Sequence, residues 1–440
     1  MKPDMLRFFS LFLLHGYLTN GHDVITESIS KTEGSPKSLT VSAFAFRESI
    51  ARLSTRTDLF RQQRMHHDHV HEVTFVIQQR NMELLTSVLH DVSNPLSENY
   101  GQHMTKDEVT SMTSNPEAHK VATDYLLTVG AIINPEDVGI DYIRASASIS
   151  LWEKTFDTHF FEFHQMQLNG NTEKFVRAEK YSIPMVLDVH VESVFNTIQM
   201  PYRLTGSLPK LTTPPAVTNA KSALVDPTAT MTTPAKLKQF YNLTTQGSSN
   251  STQCVYATIN QYFSPSDLEL FQKTFGLQSK AVAGSIGGHS SNARCVKSSD
   301  SCAEGNLDVQ YMMAVSPDSP TTYWYSDLDF SAWLVTVAAL SEPPLVLSIS
   351  YGAEEDSVST SELDAFNTEA IKLGSMGVSI VLASGDDGAL SDNVRQSGQS
   401  ACGYTPIFPA SCPYIVAVGG TAVSLILLKV KCCFHILTPR

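Results

Sequence analysis

The first 253 residues contain no cysteine, and none of the seven cysteines that follow forms a Cys-x-x-Cys pair. That spacing excludes the common structural zinc sites. No His-Glu-x-x-His segment occurs either, which removes the usual helical zinc hydrolase. Basic residues are scarce: 31 Lys and Arg stand against 44 Asp and Glu, a net charge of -13. A chain so acidic is a poor partner for nucleic acid. No unbroken apolar run reaches the roughly 18 residues of a membrane span. Charged residues make up only 17% of the chain and hydrophobic residues 42%, which excludes disorder and leaves a globular protein.

What is present divides the chain. Lys2 and Arg7, an apolar run from Phe8 to Leu14 and small or polar residues at Thr19 to Gly21 read as a signal peptide over residues 1–21. Residues 45–205 mix alternating strands with amphipathic helices. His71 to Gln78 alternates polar and apolar and predicts a strand, and Asn81 to Leu89 predicts a helix. Residues 206–232, with Pro209, Pro214, Pro215 and Pro227 among Thr, Ser and Ala, read as an extended linker open to proteolysis. Cys254, Cys295, Cys302, Cys402 and Cys412 are spaced like partners in loop-closing disulfides, which require an oxidising compartment. The sequons at Asn242 and Asn250 fit the same compartment.

From Thr233 the pattern alternates strand and helix. Val255 to Phe263 predicts a strand. Ser264-Pro265 then caps a helix that ends at Gly276. Further strands are predicted at Thr322 to Tyr325, Leu345 to Tyr351 and Val378 to Ala383. A helix is predicted over Ser361 to Leu373 with Gly374 as its stop. This order implies a doubly wound parallel α/β sheet, whose ligand site lies outside the carboxyl ends of the strands. The loops at Ser350-Tyr351-Gly352 and Ser384-Gly385-Asp386 follow such ends.

Two acidic features carry chemistry. In Glu304-Gly305-Asn306-Leu307-Asp308 a helix puts both carboxylates on one face, one turn apart. Such a pair titrates as a unit with one pKa raised, and it can accept a proton at pH values where histidine is already charged. The plainer alternative is acids stabilised by a helix N-terminus. In Ala383-Ser384-Gly385-Asp386 a carboxylate follows a buried strand on a glycine turn. Protonated, it can donate to a developing oxyanion. Its alternative is an Asx turn closing the loop.

Together these stretches resemble the sedolisin, or serine-carboxyl, peptidases, and the tripeptidyl-peptidase kind in particular. The likeness runs in order from about residue 70 to 422. It includes Pro95-Leu96-Ser97-Glu98-Asn99-Tyr100-Gly101, Thr233-Pro234, EGNLDVQY with Glu304 and Asp308, and Ser348-Ile349-Ser350-Tyr351-Gly352. It continues through ASGDDG with Asp386, Phe408-Pro409-Ala410-Ser411-Cys412-Pro413-Tyr414 and Gly419-Gly420-Thr421. The resemblance implies a ferredoxin-like α+β activation prodomain (45–205) ahead of an incomplete subtilisin-like sheet (233–423). It implies that Glu304 is the base, that Asp308 orients it and that Asp386 stabilises the oxyanion, while Ser350, Tyr351 and Gly352 cradle substrate. There is no His-Gly-Thr segment to seat a catalytic histidine. Peptide or protein substrates, a prodomain bound to its own peptidase domain, and a secreted or lysosomal (vacuolar) location follow from the same likeness.

The match ends near Val423, and residues 424–440 (SLILLKVKCCFHILTPR) resemble nothing in the family. The family's Ser-Gly-Thr-Ser nucleophile segment and its calcium ligands are expected further on, so calcium has no ligands here and this chain is expected to be inactive. Ser424 is not in the nucleophile's place. Two readings of different class follow: a peptidase zymogen, or a non-enzymatic secreted chain that binds a full-length relative through its prodomain. An aspartic peptidase is a weaker third reading, since the paired Asp-Thr-Gly loops are absent. His66, His67, His69 and His71 read as an exposed strand start, with a metal site or a pH switch near 6 as alternatives.

Overall fold

The computed structural model describes residues 43–50, 58–134, 140–166, 172–201, 204–205, 232–327, 329–386 and 405–420. The signal peptide, residues 206–231 of the linker, Cys402 and the tail from residue 421 lie outside them.

The N-terminal part is built on a four-stranded antiparallel sheet. Its order is Ile132–Ile133, Tyr142–Ser148, Val70–Ile77, Val191–Phe195. Alternation along Val70–Ile77 sends Val73, Phe75 and Ile77 to one face. There they meet Ala118, Ala122 and Leu126 of helix Pro116–Val129 and Trp152 and Phe156 of helix Ile149–Phe156. The expected helix after Asn81 runs over Met82–Ser93. Of the histidines ahead of the strand, His66, His67 and His69 are exposed and precede Val70. His69 therefore does not share a strand face with His71. The His71 ring turns inward, bonds the Asn196 carbonyl at 2.8 Å and packs on Phe160. Burial lowers it to about 4, below the range expected of a switch near pH 6.

The C-terminal part is a six-stranded, wholly parallel sheet. Its order is Gly284–Ile286, Thr321–Tyr325, Gln253–Ala257, Val346–Ile349, Ser379–Ala383, Val416–Val418. The strand expected over Val255 to Phe263 is shorter. It stops at Ala257, and Ile259 and Asn260 take left-handed backbone. Neighbouring residues of this strand serve opposite layers. Cys254 and Tyr256 join Trp333, Leu334 and Phe366 on one side. Val255 and Ala257 join Leu268, Val309 and Met313 on the other. Helices therefore cover both faces, and the caps are sequence-encoded. The Ser264 Oγ accepts from the Asp267 amide at 3.1 Å, with Pro265 in the first turn. Ser359 and Glu362 form a capping box. Helix Thr360–Ser375 passes through Gly374, the expected stop, and the chain turns instead at Gly377, whose φ is +87°. Gly374 has another use: a Cβ there would come within 2.8 Å of Leu89, a residue of the N-terminal part.

The cysteines meet the disulfide expectation in part. Cys295 and Cys302 form a disulfide closing a short loop. Cys254 and Cys412 are free thiols buried in one apolar cluster, which pushes both up to about 12. Cys254 lies on a central strand facing helices, where apolar packing takes the place of a cross-link.

The two parts pack through the second face of the antiparallel sheet. Val76, Tyr142 and Phe195 meet Val335 of helix Phe330–Ala339 and Ala365 of helix Thr360–Ser375. Helix Phe330–Ala339 is thus apolar nearly all round because it is sandwiched between two sheets. Lys372 Nζ lies 2.9 Å from both Asp141 and Glu369, and the Tyr142 hydroxyl donates to Glu369 at 2.8 Å. A buried ion network adds little net stability, but losing one member leaves an uncompensated charge, so it enforces one docking geometry. Glu192 is pushed up to about 7 by burial, then by Asp364 and Glu369 across the contact. The folded chain binds that proton more tightly than the unfolded chain, so the contribution is greatest below the ordinary value of 4.5 and is lost as pH rises through 7. Glu192→Gln should therefore stabilise the protein by about 3 kcal/mol at pH 8 and leave it unchanged at pH 4. Urea unfolding at the two pH values measures this, and equal effects at both would refute it.

Candidate active site

Parallel strands place all their carboxyl ends on one edge of the sheet, and three sequence segments meet there. Helix Ala303–Val315 starts on that edge, directly after the Cys295–Cys302 disulfide. It carries Glu304 in its first turn and Asp308 one turn later. Ser350 follows strand Val346–Ile349, and its Oγ donates to Asp308 Oδ1 at 2.8 Å. Asp386 follows strand Ser379–Ala383 on a turn at Gly385, φ +91°, held by the Ser384 amide on the Val418 carbonyl at 3.0 Å.

Burial raises Glu304, and the nearby charge of Asp386 raises it further. Asp308 lies well above the usual carboxylate range, through burial first and the Glu304 charge second. A helix N-terminus acting alone would pull Glu304 down. The direction here is upward, with burial its largest cause. The Ser350 hydroxyl works against the rise on both carboxyls.

Of the three residues expected to cradle substrate, Ser350 is the one that hydrogen-bonds Asp308. The Tyr351 ring is buried against Tyr256, edge-on at 5.9 Å. Gly352 belongs to strand Gly352–Glu354, which pairs antiparallel with Ile407–Phe408 on one side and with Leu204–Thr205 on the other. The chain leaving the N-terminal part thus lies along that strand.

Three features carry no sequence signal. Tyr323 donates to the Gln261 carbonyl at 2.9 Å, and its phenol is raised by burial and by Asp308. His289 stacks between Tyr262 and Tyr325, with ring centroids 4.3 and 3.3 Å apart. Gly305 is the third: a Cβ there would lie 2.5 Å from the Tyr262 carbonyl and 2.8 Å from the Tyr323 hydroxyl. Glycine between the two acids lets their helix press against the strand layer. Among the described residues no three His, Cys, Asp or Glu side chains gather to hold a metal ion.

Residues 58–200 match the family described as the Pro-kumamolisin activation domain. Tripeptidyl-peptidase 1 of Pan troglodytes is 31% identical over 366 residues, covering 80% of this chain and 61% of that protein. The Homo sapiens protein gives the same figures, and that of Mus musculus is 30% identical over 365 residues with the same coverage. These comparisons support a sedolisin-family, tripeptidyl-peptidase-like reading of the chain. It spans 61% of the length of these curated relatives. Among solved structures, Pseudomonas sedolisin (serine-carboxyl proteinase) in complex with pseudo-iodotyrostatin covers 43% of the chain and 53% of its own at 20% identity, with a TM-score of 0.34, too low to weigh on the fold. No helix among the described residues is long and apolar enough to cross a membrane.

Gly305→Ala should cost about 1–3 kcal/mol, since backbone as well as side chain must yield. Chemical denaturation checks this, and an alanine variant as stable as the parent would mean the helix has room to move.

Proposed function

We propose that this chain carries an acid serine-carboxyl peptidase zymogen. Residues 45–205 are its activation prodomain, residues 206–232 the linker and residues 233–423 the front of the peptidase domain. The observation that carries the reading is the meeting of Glu304, Asp308 and Asp386 on one edge of a parallel sheet, with the first two raised. Further support for the prodomain is its strand order, in which the first strand lies between the third and the fourth with two helices on one face, the ferredoxin-like arrangement. Support for the subtilisin-like, doubly wound reading is the parallel order with helices on both faces.

A serine supplied by the C-terminal part of the domain attacks the scissile carbonyl. Glu304 takes its proton and returns it to the leaving amine. A raised Glu304 can hold that proton in an acidic medium, where a histidine base is already charged. Asp308 orients and tunes Glu304, and Asp386 stabilises the oxyanion. Peptides and proteins are the substrates, and tripeptide release follows the relatives' name. The location is secreted or lysosomal, in keeping with the Cys295–Cys302 disulfide and with Asn242 and Asn250, both exposed.

A chimera continued from Val423 with the corresponding part of a tripeptidyl-peptidase 1 should release tripeptides at acid pH. In that chimera Glu304→Gln and Asp386→Ala should each lower kcat by about 10²–10³-fold with KM little changed. Losses confined to KM would remove these residues from the chemistry.

A second reading is a non-enzymatic chain that binds a full-length relative through its prodomain, which requires the face around Asp141 and Tyr142 to leave this chain's own Lys372 and Glu369. Added to a full-length tripeptidyl-peptidase 1, the chain would then inhibit tripeptide release. Unchanged release would dismiss this reading.

A further inference from the structure

We propose that Ser350 is a positioning residue of the Glu304–Asp308 pair, clamping Asp308 from the neighbouring strand end through its hydroxyl. This rests on the acid-pair reading above and extends it to a residue whose family likeness points to substrate.

The geometry is specific. Ser350 Oγ donates to Asp308 Oδ1 at 2.8 Å, across 42 residues of sequence and between two different elements. A serine hydroxyl has one proton to donate, and this one is committed to the acid pair. The serine has little room to drift. The residue before it ends a strand of the parallel sheet, and the Tyr351 ring after it is buried against Tyr256. Gly352 is then held in a three-stranded antiparallel sheet. The backbone is anchored on both sides, so the hydroxyl is delivered to a fixed point.

The electrostatics give the clamp its purpose. Asp308 is faced by Glu304 on its own helix and by the phenols of Tyr323 and Tyr351 from the sheet, while Asp386 faces Glu304 from the next strand end. Burial and like charge all push the pair toward permanent protonation. A pair that never loses a proton cannot serve as a base. A hydrogen bond donated to the charged form opposes that push and keeps one proton exchangeable at acid pH.

The test uses the full 440-residue chain with ¹³C-labelled Asp and Glu carboxyls, followed by NMR from pH 3 to 9. Glu304→Gln and Asp308→Asn identify the two signals. In the parent the two acids should titrate as a coupled, raised pair. Ser350→Ala should move the pair's midpoint up by about one pH unit, and Ser350→Thr, which keeps the hydroxyl, should restore it. Ser350→Cys, near in size but a weak donor, should fall between and keeps the test open if the alanine variant does not fold. Unchanged titration in the alanine and cysteine variants, with a coupled pair in the parent, would overturn the role of Ser350 alone. A lowered thermal midpoint without a shifted titration would have the same meaning. Independent titration of Glu304 and Asp308 at ordinary carboxylate values in the parent would instead overturn the acid-pair reading.

Discussion

Burying a carboxylate away from water is unfavourable, and this fold does it repeatedly in places chosen by the sheet. Six parallel strands send every carboxyl end to one edge, so helix Ala303–Val315, the Ser350 turn and the Asp386 turn converge although they are far apart in sequence. Glu304 and Asp308 are then held against the strand layer, through a glycine that leaves no room for a methyl group. Their desolvation is the constraint on which the chemistry depends. Without it the two acids would be ordinary surface charges with no capacity to hold a proton.

The same physics governs the contact between the two parts. A sheet face built from Val76, Tyr142 and Phe195 covers two helices, and the polar groups caught in the contact are mostly acidic. Lys372 offsets Asp141 and Glu369, while Glu192 and Asp364 are raised. Apolar area supplies most of the attraction, and the ion network selects the register. Carboxylates with raised proton affinity are least costly when protonated, so both the contact and the site are built to sit most easily in an acidic medium.

Much of the local structure was legible in the sequence because its causes are local. The Ser264-Pro265 start of a helix and the strand at Val378 to Ala383 follow from a side chain reaching its own backbone and from an unbroken apolar run. Errors arose where a distant contact overruled a local rule. Gly374 reads as a stop, yet it lies inside a helix, at a place where a Cβ would come within 2.8 Å of Leu89. The strand beginning near Val255 ends early because Ile259 and Asn260 turn left-handed. Cys254 and Cys412 have the spacing of disulfide partners, yet they remain apolar core residues. His71 has the look of an exposed histidine and is drawn inward by Asn196.

The sequence by itself determined which residue types stand one helical turn apart at 304 and 308, which glycine turn carries Asp386, and that the chain alternates strand and helix. These are matters of spacing, and spacing is written in the chain. Only the tertiary structure decided that Ser350 turns its hydroxyl to Asp308 while Tyr351 is buried, that Glu304 feels Asp386, and that the N-terminal sheet closes over helices 330–339 and 360–375. Those outcomes depend on desolvation and on groups brought together from opposite ends of the chain, and neither can be read from neighbours in sequence.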